Sequence, residues 1–167
     1  MSALVPVVLF GWIPFVLVLF ALLPARRAVL AAFLLAWLFL PMAEYRLPGL
    51  TVYGKMTATC FGTLLGALLF DTRRVVAFRP RLVDLPMLAF CLSPMASSLA
   101  NEKGVYDGAA LTVTQTVAWG LPYLIGRLYF SDLKGLRELA VGVFVGGLVY
   151  VPLCLWEIRM SPQLHNW

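Results

Sequence analysis

The chain has 167 residues, 62% of them hydrophobic and only 13% charged, with a net charge of +5 and a mean hydropathy of +0.89. Soluble domains are usually about 45–50% apolar, so a buried core alone does not account for this composition. The charges fall between apolar blocks rather than on a basic face, which excludes a nucleic-acid-binding module; near a membrane each base instead gains about 1 kcal/mol against anionic headgroups.

The apolar blocks are continuous and roughly 17–23 residues long, the length a helix needs to cross about 30 Å of hydrocarbon. A β-barrel would show alternating segments of about ten residues. The expected fold is all-α: a polytopic transmembrane helical bundle of about six helices, one domain over residues 1–167. The first span covers about 3–24, with Pro14 in its middle, where a proline is tolerated but kinks the helix. Met1-Ser2-Ala3 carries no base, so a cleaved signal peptide is not expected. The second span, about 28–43, is short and calls for tilt or local thinning. The third covers about 50–70 and stops at Asp71-Thr72-Arg73-Arg74. The fourth covers about 82–99 and is interrupted by Pro86 and Pro94. The fifth covers about 108–130, with Thr112, Thr114, Gln115 and Thr116 suited to an interhelical hydrogen-bonding face and Pro122 beyond them. Ser131-Asp132 reads as the N-cap of the sixth, which covers about 136–158. Residues 159–167 form a polar interfacial tail.

Alternating loops sort the bases unequally. Arg26, Arg27, Arg73, Arg74, Arg79, Arg81, Arg127, Lys134 and Arg137 fall on one side; Arg46, Lys55, Lys103 and Arg159 fall on the other. The positive-inside rule makes the first side cytoplasmic. Both termini are then periplasmic, in a multi-pass protein of a bacterial inner membrane. Cys60, Cys91 and Cys154 lie inside apolar blocks without a CxxC pattern, and read as small buried hydrophobes rather than disulfide or zinc ligands. Gly62 and Gly66, and Gly142 and Gly146, place small residues on single helix faces where helices approach closely.

Chemistry inside a membrane is sought first at its polar residues. Lys55, read as about one turn inside the third span, suits snorkelling to outer headgroups or an outer-leaflet site for a phosphate-bearing lipid, with Arg46 nearby. Arg127 reads as snorkelling at the other face. Arg73, Arg74, Arg79 and Arg81 read as contacts to anionic lipid. The segment Leu155 to His165 gathers Glu157, Arg159 and the single histidine at the outer surface. One histidine excludes a bis-histidine haem within this chain and a histidine-rich metal site. No metal or covalently bound cofactor is expected, and GxSxG, P-loop, HExxH, GxGxxG and DxD patterns are absent.

At Tyr123-Leu-Ile-Gly-Arg127-Leu-Tyr-Phe130, and again from Tyr150 to His165, the sequence resembles bacterial O-antigen ligase/polymerase-like proteins. The resemblance covers roughly the last fifty residues. It implies an inner-membrane protein acting on polyprenyl-diphosphate-linked glycan at the periplasmic face, with more helices than this chain and a large periplasmic loop. It therefore implies either the N-terminal part of such a ligase or a short relative that kept the membrane scaffold. Carried over, Arg159 and His165 are the catalytic candidates, and Arg46, Lys55 and Arg159 the set for lipid or diphosphate. The leading expectation is a non-catalytic membrane subunit of ligase-like ancestry, packed within a larger complex such as a photosynthetic or other energy-transducing assembly. Its partners are lipids and other membrane subunits, which would bring any pigment or quinone. The alternative is the glycan ligase or polymerase itself. A transporter ranks third, because no acidic residue lies mid-membrane to couple ions.

Overall fold

The computed structural model describes residues 4–43, 45–46 and 52–160, the side chains of Leu4, Val5, Arg46, Glu157 and Met160 excepted. Among the described residues the regular elements are helices apart from one two-stranded ribbon. Its elements run α1 (Leu4–Leu22), α2 (Ala25–Phe39), β1 (Tyr45–Arg46), β2 (Val52–Tyr53), α3 (Lys55–Phe70) and the short α4 (Thr72–Val76). A 3-10 turn (Leu82–Asp84) then leads into α5 (Leu85–Ala100). A rod follows, made of α6 (Val105–Gln115), a π turn (Thr116–Gly120) and α7 (Leu121–Tyr129), and α8 (Leu133–Met160) comes last.

Prolines decide several boundaries. Pro41 ends α2: the residue before a proline is driven out of the helical region, and Leu40 sits at φ −76°, ψ 137°. Residues 40–43 of the expected second span are therefore not helical. Pro122 lacks an N–H and its ring crowds the carbonyl four residues back. The chain meets this with the π turn just before it, a wider turn that spares a sharp break. Pro86 sits in the first turn of α5, where a missing N–H costs nothing.

The third block also departs from expectation. Among its described residues, Val52 and Tyr53 do not join the helix. Val52 and Tyr53 pair antiparallel with Arg46 and Tyr45, and the extended Gly54 caps α3. Thr57 Oγ1 then donates to Val52 O at 3.0 Å. The ribbon is pinned to α1 by Tyr53, which stacks on Phe10 at 4.8 Å and donates its hydroxyl to Leu9 O at 3.2 Å. Lys55 is accordingly the first residue of α3, not a residue one turn within it. The opposite hairpin, between α5 and α6, turns on Gly104 at φ +93°, a conformation that L side chains rarely adopt.

The core lies between α1, α2 and α3, with α7 closing it through Ile125, Leu128 and Tyr129. Gly62 lies against Val16 and Gly66 against the Phe20 ring. The buried Thr59 and Thr63 donate back to Lys55 O and Thr59 O at 2.7 and 2.8 Å. Their polar atoms therefore do not hold α1 away. α8 leans on α2 alone among the closely packed pairs, with Gly142 against Leu30 and Gly146 against Leu34.

Among the described residues two helical segments are long and apolar enough to cross a membrane: Leu82–Ala100, of 19 residues, and Leu133–Trp156, of 24. Pro6–Leu22 and Lys55–Phe70 are shorter apolar helices. On α8 the large apolar side chains point away from the protein; Phe144 is 67% exposed and Trp156 66%.

The seam is testable by volume. A Cβ on Gly66 would stand 2.5 Å from the Phe20 ring, and that ring, 5% exposed, has nowhere to swing. Gly66→Ala is expected to cost about 1–3 kcal/mol as an overpacking change. Gly142→Ala meets the flexible end of the Leu30 side chain and should cost less. Unfolding in mixed detergent–denaturant titrations checks the order; a greater loss at Gly142 contradicts it.

Candidate functional site

Polar side chains gather at the two ends of the bundle. At one end, Asp84 closes the 3-10 turn before α5. It accepts the Tyr123 hydroxyl at 2.6 Å, Arg127 Nε at 2.8 Å and Nη2 at 3.3 Å, and the Arg81 backbone N–H at 2.7 Å. Tyr123 and Arg127 are four apart on α7 and so share one face. The carboxylate thus joins the start of α5 to the end of the long rod, and the pair is largely shielded, with side chains 20% and 17% exposed. Arg74 is held in a similar way. It pairs with Asp71 at 3.0 Å, donates to Leu128 O at 3.3 Å and lies over the Tyr129 ring at 5.1 Å.

These contacts enclose a cavity of about 260 Å³, lined by Arg74, Arg79, Arg81 and Arg127 together with Phe78 and Ser131. Arg73 is exposed on α4 and does not line it. Four guanidinium groups against two carboxylates leave a positive excess at the cavity wall. Arginine forks suit phosphate oxygens, so the arrangement fits an anion. Among the described residues no three metal-ligating side chains come together.

The same end carries a second clamp. Arg26 donates to Asp132 at 2.8 Å and reaches Glu138 at 3.8 Å. Asp132 also caps α8 by accepting the Gly135 N–H at 3.2 Å. Loss of hydration pushes the Asp132 carboxyl up, but the Arg26 hydrogen bond and charge and the Gly135 N–H outweigh it and hold the group below its ordinary range.

At the other end a cavity of about 540 Å³ lies beside the ribbon, lined by Met42, Lys55, Thr57, Thr114 and Val117 among others. A cation at a helix N-terminus is opposed by the helix dipole. Lys55 is compensated by the Trp37 ring, 4.9 Å from its ammonium. Arg159 sits exposed in the last turn of α8, where the dipole favours a base, and is not among the residues around this cavity. The Arg46 side chain and His165 lie outside the described residues. Thr114 and Thr116 donate to Ala110 O and Thr112 O of their own helix at 2.9 and 2.7 Å. The expected interhelical hydrogen-bonding face does not use them.

The Asp84–Tyr123–Arg127 clamp and the Arg26–Asp132 clamp escaped sequence reasoning, which treated Arg127 as snorkelling alone. Two signals for them were present: the i,i+4 spacing of Tyr123 and Arg127, and a lone carboxylate three residues after Arg81. Partners 43 positions apart in sequence are not legible without the fold.

Comparison with protein-family models, curated proteins and solved structures returned no match to this chain.

Asp84→Asn leaves Arg127 without a counter-charge, whereas Tyr123→Phe removes one donor. The first should lower the thermal midpoint in detergent by clearly more than the second; equal shifts would show that the ion pair contributes nothing. The lowered pKa of Asp132 gives a pH dependence. Its stabilisation is present above the unfolded carboxylate value of about 3.9 and is lost as pH falls through the lower folded value. The wild-type protein should therefore stay more stable than Asp132→Asn from pH 7 down to about 4, with the gap closing in stronger acid. A gap independent of pH over a full acid titration contradicts this.

Proposed function

We propose that the chain is a polytopic inner-membrane protein whose six rods (α1, α2, α3, α5, α6–α7 and α8) cross the bilayer. In this reading it serves as a non-catalytic packing subunit of a larger membrane assembly. The observation that carries the proposal is the apolar exposure of α5 and α8. Leu88, Phe90 and Leu92 on α5, and Phe144, Val149 and Leu155 on α8, are all between 45% and 67% exposed. Soluble monomers rarely expose contiguous apolar patches above a few hundred Å², whereas lipid and neighbouring helices cover such faces without cost.

Three further features support the reading. The helix contacts at Gly62, Gly66, Gly142 and Gly146 are of the small-residue kind that association within lipid requires. The 15 residues of α2 rise only roughly 22 Å, and the ribbon that follows, paired at Tyr45–Tyr53 and Arg46–Val52, suits the headgroup region, where backbone outside a helix can also reach water. Arg26, Arg74, Arg81 and Arg127 share the end fixed by the two clamps, which fits a cytoplasmic face. Both termini are then periplasmic, and any pigment or quinone belongs to partner subunits. Purification in mild detergent is expected to bring stoichiometric membrane partners with the chain; a protein that runs alone after gentle extraction defeats the subunit reading. A periplasmic reporter fused after Trp167 should be active, and a cytoplasmic one silent.

A second reading has one observation in its favour, the 540 Å³ cavity beside Lys55. There the chain would be the N-terminal half of a lipid-linked glycan ligase or polymerase, with diphosphate held by Lys55, Arg46 and Arg159. It requires purified protein to bind polyprenyl-diphosphate glycan and Lys55→Gln to weaken that binding several-fold. Unchanged binding in the variant counts against it.

A further inference from the structure

Between α2 and α8 the two helices touch at Gly142 and Gly146; an opening of about 320 Å³ lies on the side facing α7, and a second lies on the side away from it. This second opening has two parts. The part nearer the clamps is about 620 Å³ and carries Arg27, Lys134, Arg137 and Glu138 at its mouth. The other is about 330 Å³ and is lined almost wholly by apolar side chains, down to Phe39 and Tyr150. Leu30, Ala31, Gly142 and Val145 line both, so the two form one trough. From Arg27 to Phe39 it follows α2 for roughly 18 Å at the helical rise per residue. One leaflet of hydrocarbon is about 15 Å deep.

The mouth is electrically unfinished. Glu138 is engaged with Arg26, and Arg26 with Asp132. Arg27, Lys134 and Arg137 are exposed and form no ion pair among the described residues. α2 and α8 both begin at this end, so two helix N-termini add to the positive potential. A charged mouth opening into an apolar trough of leaflet depth has the shape and polarity of one kind of ligand.

We propose that this trough is a specific site for one anionic phospholipid. Its headgroup phosphate is held by Arg27, Lys134 and Arg137, and one acyl chain lies along Leu30, Ala31, Gly142 and Val145. The proposal rests on the membrane reading above. The arginine cavity at Asp84 lacks such a trough: its wall is mostly polar, and Phe78 and Leu128 are its only large apolar residues. A lipid tail has no place there. At the α2–α8 site the lipid would fill the gap beside a helix that otherwise packs on one neighbour.

The test uses the full chain, extracted with mild detergent and examined by native mass spectrometry. Phosphatidylglycerol and phosphatidylcholine are added in equal amounts. One phosphatidylglycerol per chain is expected, favoured over phosphatidylcholine by about tenfold or more, given three bases at the mouth. Excess inorganic phosphate should not displace it, which separates a lipid from a free anion. The triple variant Arg27→Gln, Lys134→Gln, Arg137→Gln should lose the preference. Ala31→Phe, which fills the trough and leaves the charges, should lower the binding of both lipids. Carbonate extraction of the same membranes distinguishes the two levels of failure. If the chain washes off, the membrane reading fails. If it stays but the triple variant keeps the preference, or Ala31→Phe keeps full lipid occupancy, or a second protein copy occupies the trough in place of lipid, the lipid site is overturned and the membrane reading stands.

Discussion

The close approach of α1 to α3 is the constraint on which the rest of the bundle depends. It exists because Gly62 and Gly66 present no side chain where Val16 and Phe20 arrive. The threonines beside them turn their hydroxyls back onto their own helix. The seam is therefore narrow and its threonine hydroxyls are satisfied, although Trp12 Nε1 on α1 is buried without a partner. α2 then covers the pair with a face of Ala28, Val29, Ala32 and Ala36, all buried. The small residues on the buried faces of α2 and α3 allow three backbones to come together with little side-chain entropy lost, which suits a medium in which the hydrophobic effect between helices is weak.

Charge takes over where packing ends. The outer elements α5 and α8 expose much of their apolar surface, and clamps at one end tie them to α7 and α2. Asp84 ties α5 to α7 through three donors on α7 and closes its own turn on the Arg81 N–H. Asp132 caps α8 and binds Arg26 of α2. Each carboxylate serves two purposes, ending or starting a helix and fixing its neighbour. The bases that remain unpaired at this end surround two openings of different character, one polar and one continuous with an apolar trough. The same residue type thus has two roles, and what separates them is only which carboxylate lies within reach.

The sequence carried the periodic and local features. The apolar blocks gave the helices, Ser131-Asp132 marked the start of α8, and the glycine spacings marked faces that meet neighbours closely. It misled where local chemistry outweighed hydropathy. Val52 and Tyr53 lie in a block that hydropathy assigns to a helix, yet β-branched and aromatic residues beside an extended glycine pair as a ribbon. Residues 40–43 are apolar too, but Pro41 forbids Leu40 the helical conformation. Lys55 moved from an intramembrane oddity to a helix start for the same reason.

By itself, then, the sequence determined the helical class, the order of the blocks and the uneven sorting of the bases, because these depend on composition and on neighbours within a few residues. Only the tertiary structure decided which bases are neutralised and which stay open. Asp84 meets Arg127 and Asp132 meets Arg26 across 43 and 106 positions of chain. Arg27, one residue from Arg26, is left facing a trough. Adjacent residues on a helix point about 100° apart, so neighbours in sequence receive opposite fates once the helices are packed.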